Sequence, residues 1–380
     1  MRQRYLPLLA LLSILYTCGP AQLGAQINLE HWDALSPRNI GPAGMSGRVT
    51  AIDVNPTDRD HFYVGTASGG VWMSRNGGIS FEPIFDDQKY LGIGAVAVSD
   101  ANPNIIWVGT GEGNPRNSAN YGGGIYKSLD GGKTWKHMGL EATRHIHRVI
   151  VHPTNPDIVY AGAMGNMWFP NEERGVFRTM DGGKTWKKIL YVDDGTGIAD
   201  MIIDPNNPNK IIAATWTFDR DPDYFNSGGP GSGIWITHDG GDNWERKTAK
   251  DGLPKGDLGR IGLAIATNKS NILYALVEAK INGLYKSTDG GANWKLVSTK
   301  GIGGRPFYYA ELYVDPQNEN RIYNVHTYID KSEDGGKSFR GIANYGNSVH
   351  PDHHAFWIDP NDPFCKRELV CYMASFLQCV

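Results

Sequence analysis

Cysteine is nearly missing from the body of this chain. Of four in 380 residues, Cys18 lies near the start and Cys365, Cys371 and Cys379 near the end, with none between positions 26 and 364. A disulfide framework is therefore excluded from the body, and a core of sufficient size must supply the stability. Long apolar runs are also lacking. The longest, Leu6–Tyr16, is shorter than the roughly 20 residues a membrane-spanning helix needs. Charge of one sign is absent too: 37 basic against 40 acidic side chains leave a net charge of −3 and a pI near 6.4. That balance argues against an electrostatic nucleic-acid binder and against a polybasic membrane clamp.

Glycine is abundant, with 48 residues beside 21 prolines, 11 tryptophans and 18 tyrosines. Such a composition describes a turn-rich all-β protein rather than a helical or disordered one. The two ends read differently from the rest. Arg2 and Arg4, the apolar run Leu6–Tyr16 and the small residues Gly19, Ala21, Gly24 and Ala25 form an export-signal pattern over residues 1–25. Cleavage before Gln26 is preferred, with Gln22 as the alternative. Cys18 resembles a lipoprotein cleavage site only weakly, because Tyr16 fits that pattern poorly. The expected location is secreted, periplasmic or cell-envelope. At the other end, residues 364–380 resemble nothing upstream and begin inside a recurring motif, as an aberrant reading frame would. Their three cysteines match no zinc-ligand spacing.

An eight-residue pattern recurs six times: Ser or Thr, any residue, Asp, Gly, Gly, any residue, a small polar residue, then Trp or Phe. Copies span Ser74–Phe81, Ser128–Trp135, Thr179–Trp186, Thr237–Trp244, Ser287–Trp294 and Ser332–Phe339, starting 54, 51, 58, 50 and 45 residues apart. The acid positions are Asn76, Asp130, Asp181, Asp239, Asp289 and Asp334. Asp-Gly is a strong hairpin signal, since glycine accepts positive φ and Asp bonds nearby amides. A second motif interleaves with it: an Asp/Asn/His-Pro turn, then a strand ending near Gly or Ala, as in Tyr63-Val64-Gly65, Trp107-Val108-Gly109 and Tyr160-Ala161-Gly162. Periods near 50 with four short strands each predict a β-propeller of four-stranded blades. Six complete blades are expected within residues 26–363, followed by a truncated seventh opening at Ala355-Phe-Trp-Ile.

The repeat resembles the Asp box, or BNR repeat, of sialidases, two-propeller xyloglucanases, sortilin/Vps10 propellers and a photosystem assembly propeller. Segments such as Thr110–Asn117, Gly228–Gly233, Gly304–Tyr309 and His350–Ala355 resemble large exported bacterial proteins known as glycosyl hydrolases or sortilin N-terminal-domain proteins. The resemblance covers about residues 28–363 and implies the front part of a longer protein, with a C-terminal part missing. It also implies that the boxes stabilise turns away from any active site. In xyloglucanases an early catalytic Asp occupies a Thr-Asp-x-Gly-Gly context; here the matching stretch is Thr66-Ala67-Ser68-Gly69-Gly70, with Ala67 in the acid's place. The three arginines and Tyr-Glu pair of sialidases cannot be assembled.

Aligning the repeats on one another gives candidate site residues. The starts of the innermost strands read His147-Arg148, Ala199-Asp200, Ala310-Glu311 and His354-Ala355, with Arg48 and Arg260 opening equivalent strands. These side chains are expected to gather at the channel mouth, where a polar ring can bind a ligand. The loop Glu112–Asn117, with Arg116, and the run Phe307-Tyr308-Tyr309, with Arg305, read as recognition loops. The expected ligand-binding set is thus Arg48, Arg116, His147, Arg148, Arg260, Arg305, Tyr308 and His354. His350, Asp352, His353 and His354 form the densest metal-type cluster, but on a strand only Asp352 and His354 share a face, so no metal and no cofactor is assigned. Two functions are weighed: binding of a peptide or glycan at the channel mouth, or glycoside hydrolysis with Asp200 and Glu311 as the two acids. A structural piece of a larger envelope protein is a third.

Overall fold

The computed structural model describes residues 48–302, 304–308, 311–343 and 352–361, with the short strands Leu369–Val370 and Gln378–Cys379. The export-signal stretch and most of the tail lie outside the described residues.

Six antiparallel sheets follow one another along the chain, and in each the strands pair in sequence order. Their innermost strands are Val49–Asn55, Ile93–Val98, Ile146–Val151, Thr196–Asp204, Ile261–Ile265 and Glu311–Asp315. Each sheet is a four-stranded blade, and blade four carries an extra short strand, Phe225–Ser227, on its long second strand Asn207–Arg220. The all-β, six-bladed propeller expected from the 50-residue period is the fold. Helix is confined to two three-residue 3-10 turns, Glu141–Thr143 and Ala249–Asp251, among the described residues.

No single core holds the molecule together. Each pair of neighbouring blades shares its own apolar layer, because a blade is covered on both faces and its middle strands are buried throughout. Tyr63, Val71, Met73 and Phe85 of blade one pack with Ile93, Val96, Ile106 and Val108 of blade two. Val159 and Ala161 of blade three join Trp107 and Ile125 of blade two, while Tyr160 turns the other way, towards Ile198 of blade four. The glycine ending the second strand now has a physical reason. A Cβ on Gly65, Gly109 or Gly162 would lie 2.6, 2.6 and 2.9 Å from Ile93, Ile146 and Ile198, the inner-strand isoleucines of the next blade.

The eight-residue repeats form the hairpins between third and fourth strands. In the copy of blade two, Ser128 Oγ bonds Asp130 and accepts the Gly132 amide at 2.8 Å, while Asp130 accepts both the amide and the hydroxyl of Thr134, at 2.9 and 2.6 Å. The same bonds recur around Asp181 and Asp334, and around Asp239 and Asp289 with the side-chain amide of Asn243 or Asn293 in place of the hydroxyl. In all six blades the first glycine amide bonds a carbonyl in the turn before the second strand or at that strand's start: Gly77 to Asp60, Gly131 to Asn104, Gly182 to Asp157, Gly240 to Asn209, Gly290 to Asn271 and Gly335 to Asn320. The repeats therefore lie at the far ends of the innermost strands, on the face opposite the strand starts.

After blade six the chain returns to blade one. Phe356 and Ile358 pack into blade six with Tyr323 and Ile329, whereas Ala355 and Trp357 pack into blade one with Val49, Phe62 and Trp72. Arg59 bonds Asp359 at 2.9 Å across the same seam. Phe356–Trp357, Leu369–Val370 and Gln378–Cys379 make a three-stranded sheet of two-residue strands. The described residues contain no seventh four-stranded blade.

Two consequences are measurable. Gly109→Val should lower stability by about 1–3 kcal/mol, because the added side chain meets Ile146; urea unfolding gives the value. Five hydrogen-bonded carboxylates of the repeat, with Asp130 held down to about 2, have folded pKa values below those of the unfolded chain. Their contribution is present above about pH 4 and is lost as the pH falls towards 2. Asp130→Ala should therefore lower Tm at pH 7 and have little effect near pH 2, as followed by circular dichroism.

Candidate functional site

The starts of the innermost strands are irregular by design of the backbone. Register slips occur at Thr50 in blade one, Gly94 in blade two, His147 in blade three and Ala199 in blade four, where one extra residue is accommodated. A bulge re-aims the side chains beside it. Here it delivers His147, Arg148 and Asp200 to one place, although Asp200 is the fifth residue of its strand rather than the first.

Arg148 is the hub. Its Nε donates to Asp200 at 2.7 Å, and its Nη2 donates to both oxygens of Glu311, at 2.9 and 2.8 Å. Asp200 also accepts the amides of Met201 and, in the next blade, Leu263, at 2.8 and 2.7 Å. Burial pushes the Asp200 carboxyl up from its ordinary value, while Arg148 opposes that shift. Behind this group lies Arg260, whose Nη2 donates to His147 Nε2 at 3.0 Å and stands 3.8 Å from Glu311. His147 therefore accepts at Nε2, and burial holds its pKa well below the usual imidazole range. Arg48 is paired with Glu112, which is fully buried. Tyr308 meets His354 edge to face at 4.9 Å and accepts from Arg116 at 3.4 Å.

The expected set is thus brought together, apart from Arg305. That residue is exposed and stacks over Phe307 and Tyr308, at 5.6 and 5.5 Å from the ring centres. His353 and His354 are both buried, just before the strand Phe356–Trp357, so the strand begins two residues later than His354. His350 lies outside the described residues. Among the described residues, no three or more His, Cys, Asp or Glu side chains are grouped to hold a metal ion.

Glu112, Asn114 and His145 belong to the site and have no counterpart in the repeat alignment. Glu112 and Asn114 fall in the loop Glu112–Asn117 that the sequence marks for recognition, whereas nothing in the sequence marks His145. Asn114 bonds Arg260 at 3.4 Å, and His145 Nδ1 bonds the Glu112 carbonyl at 2.9 Å. The segment they belong to crosses the mouth. Asn117 bonds the Pro222 carbonyl at 3.0 Å and also accepts from Arg220, both in blade four. The ring is consequently covered on this face. Beneath it a cavity of about 250 Å³ runs between the innermost strands of blades four, five and six. Its walls include Met201, Leu263, Ile265 and Val314, with Arg148, Asp200 and Glu311 also lining it.

A family model for sortilin (neurotensin receptor 3) of the sortilin–Vps10 group matches residues 123–253. The xyloglucanase Xgh74A of Acetivibrio thermocellus is 25% identical over 358 residues, covering 83% of this chain and 40% of that protein. The photosystem II assembly lipoprotein Ycf48 of Picosynechococcus is 28% identical over 159 residues, 35% of this chain and 45% of that protein. This chain thus spans less than half the length of each of these relatives. Among solved structures, the GH74 xyloglucanase of Xanthomonas campestris superposes with a TM-score of 0.62 at 18% identity, over 86% of this chain and 51% of that one. YCF48 bound to D1 peptide gives 0.54 at 15% identity, over 86% and 93%.

The hub generates its own test. Removing Arg148 leaves two buried carboxyls without their cation, so Arg148→Ala should cost about 3 kcal/mol or more at pH 7. Guanidinium unfolding should show the loss shrinking at pH 5, where a raised Asp200 takes up a proton more readily. The arrangement as a whole is that of a six-bladed β-propeller similar to the sortilin–Vps10, xyloglucanase and Ycf48 propellers.

Proposed function

We propose that this chain is an exported recognition propeller, binding a peptide or glycan on the face where the strand starts and long loops meet. The observation behind this is the commitment of the ring's acids. Asp200 and Glu311 share Arg148, and Glu112 is occupied by Arg48, with all three carboxyls buried. An acid and a base flanking a glycosidic bond need access to substrate, and these have cations instead. The loops of the same face expose Tyr121, Phe169, Tyr191 and Tyr224, amphipathic surfaces suited to recognition. Relatives supply both ligand classes: YCF48 has been solved with a peptide, and Xgh74A is named for xyloglucan. The signal pattern of residues 1–25 supports a location outside the cytoplasm.

Hydrolysis is the second reading. It is favoured by Asp200 and Glu311 standing on one guanidinium, close enough for a two-carboxylate mechanism, and by the xyloglucanase relatives. Ala67, buried and bonded through its amide to the Arg48 carbonyl, weighs against it.

Glycan and peptide arrays, run beside a xyloglucan hydrolysis assay, separate the readings. Binding without turnover, weakened about tenfold by Tyr121→Ala or Tyr224→Ala, is expected. Turnover abolished by Asp200→Asn and by Glu311→Gln would replace recognition with hydrolysis.

A further inference from the structure

Blade three holds an aromatic side chain out to solvent on a loop fixed from below. Segment 164–174 joins the second and third strands of that blade, on the face of the strand starts. Arg174 is 2% exposed, and its guanidinium binds this segment: Nη2 donates to the Asn166 and Phe169 carbonyls at 2.6 and 3.3 Å, and Nε to Asn171 Oδ1 at 3.3 Å. Nη1 donates to the Gly195 carbonyl at 3.0 Å, in the connection to blade four. Asn171 Oδ1 also accepts the Asn166 amide at 2.8 Å, and Met164 and Met167 are buried. All these acceptors of Arg174 are uncharged, so the loop is held by a buried cation with no carboxylate bonded to it, a costly arrangement. The residue it holds out is Phe169, 68% exposed.

Other rings stand on the same face. Tyr191, 43% exposed, follows the outer strand of blade three, and Tyr224, 55% exposed, lies at the turn of the hairpin that blade four raises. Carboxylates outnumber cations around them. Stretches 171–174, 193–194 and 219–223 together carry seven carboxylates against two cations, Arg174 and Arg220. The first two stretches are joined by the Asn171 amide on the Asp194 carbonyl at 3.0 Å. Burial lowers the Arg174 pKa to about 10, and Asp193, Asp194 and Asp219 all oppose that shift, which places acids of blades three and four around one loop. Among the described residues none of the seven carboxylates forms an ion pair, and Glu172, Asp194, Asp219, Asp221 and Asp223 are exposed. The cations nearby lie over rings instead: Lys188 Nζ is 4.6 Å from the centre of Tyr191, and the Arg220 guanidinium is 5.2 Å from that of Phe225.

We propose that this surface over blades three and four docks an arginine-bearing peptide segment, with Phe169 as its rigid anchor. Arginine answers both features of the surface. Its planar guanidinium stacks on aromatic faces, and its N–H fork meets carboxylates. A neutral glycan would use the rings and leave the carboxylates unanswered, and an acidic ligand would be repelled by them. The inference rests on the recognition reading and chooses the ligand within it.

Fluorescence anisotropy on the full chain tests it, with a labelled peptide of alternating arginine and leucine beside the same peptide carrying glutamate for arginine. The arginine peptide should bind saturably and lose affinity as salt is raised. The glutamate peptide should not bind. Phe169→Ala should weaken binding about tenfold. Glu172→Gln combined with Asp194→Asn removes two exposed charges at constant shape, and should weaken binding about fivefold and flatten its salt dependence. The proposal is overturned if the arginine peptide does not bind, if the glutamate peptide binds equally well, or if binding survives these variants unchanged, as attraction to net charge alone would give. Arrays that find ligands while the arginine peptide stays unbound would remove this inference and leave the recognition reading. Xyloglucan turnover by a chain that still binds the arginine peptide through Phe169 would do the reverse.

Discussion

One guanidinium joins three blades. Arg148 belongs to blade three, Asp200 to blade four and Glu311 to blade six, and the bonds among them cross the channel rather than run along a sheet. Everything at the mouth depends on that crossing. Without it, the inner edges of these blades would carry buried acids with no counter-charge, a more costly condition than having no acids at all. With it, Asp200 can reach on to the Leu263 amide of blade five and satisfy a donor on an otherwise unpaired strand edge. Asp53 does the same between blades one and two, accepting the Val98 amide at 2.7 Å, and its desolvated carboxyl is pushed up to about 7. The channel is thus lined by acids that serve as inter-blade bonds, and the site is built out of the scaffold's own fastening.

Much of this was legible in the residues. The repeat could be read because its chemistry is local: Ser128, Asp130 and Thr134 bond one another within seven positions, and a turn that closes on itself leaves a signature at every copy. The ring could be read for a related reason. His147, Arg148, Asp200 and Glu311 stand at matched offsets from the turns that end their strands, and rotational repetition converts matched offsets into neighbours. The bulges were not legible, since an extra residue at His147 or Ala199 looks like ordinary variation in spacing. Nor was the cover. Asn117 meets Arg220 and Pro222 a hundred residues away, in loops that differ from blade to blade, and no periodicity predicts contacts between non-equivalent segments. The cover therefore left no signal in the repeat, whereas the spatial grouping of the inner-strand residues did.

Likeness to xyloglucanases and to Ycf48 fits this division. What the solved structures share with this chain is the propeller fold. In this chain the parts that do not repeat are segments such as 111–124 and 221–232 and the charges on the inner strands. Ala67 is one position on this face that is buried and brings no polar side-chain group.

The seam between blades six and one has a mechanical meaning. Elsewhere around the ring, each blade meets the next through broad layers of several strands. At the seam, the described contacts run through the four residues 355–358, whose side chains alternate between the two neighbours like the teeth of a zip, with Arg59 and Asp359 as the catch. Among the described residues, this strip is what joins the two ends of the circle. The strip also touches the hub, because Phe356 meets Tyr313 at 5.4 Å and Tyr313 donates to Glu311 at 3.4 Å, so strain in the closure is felt at the mouth.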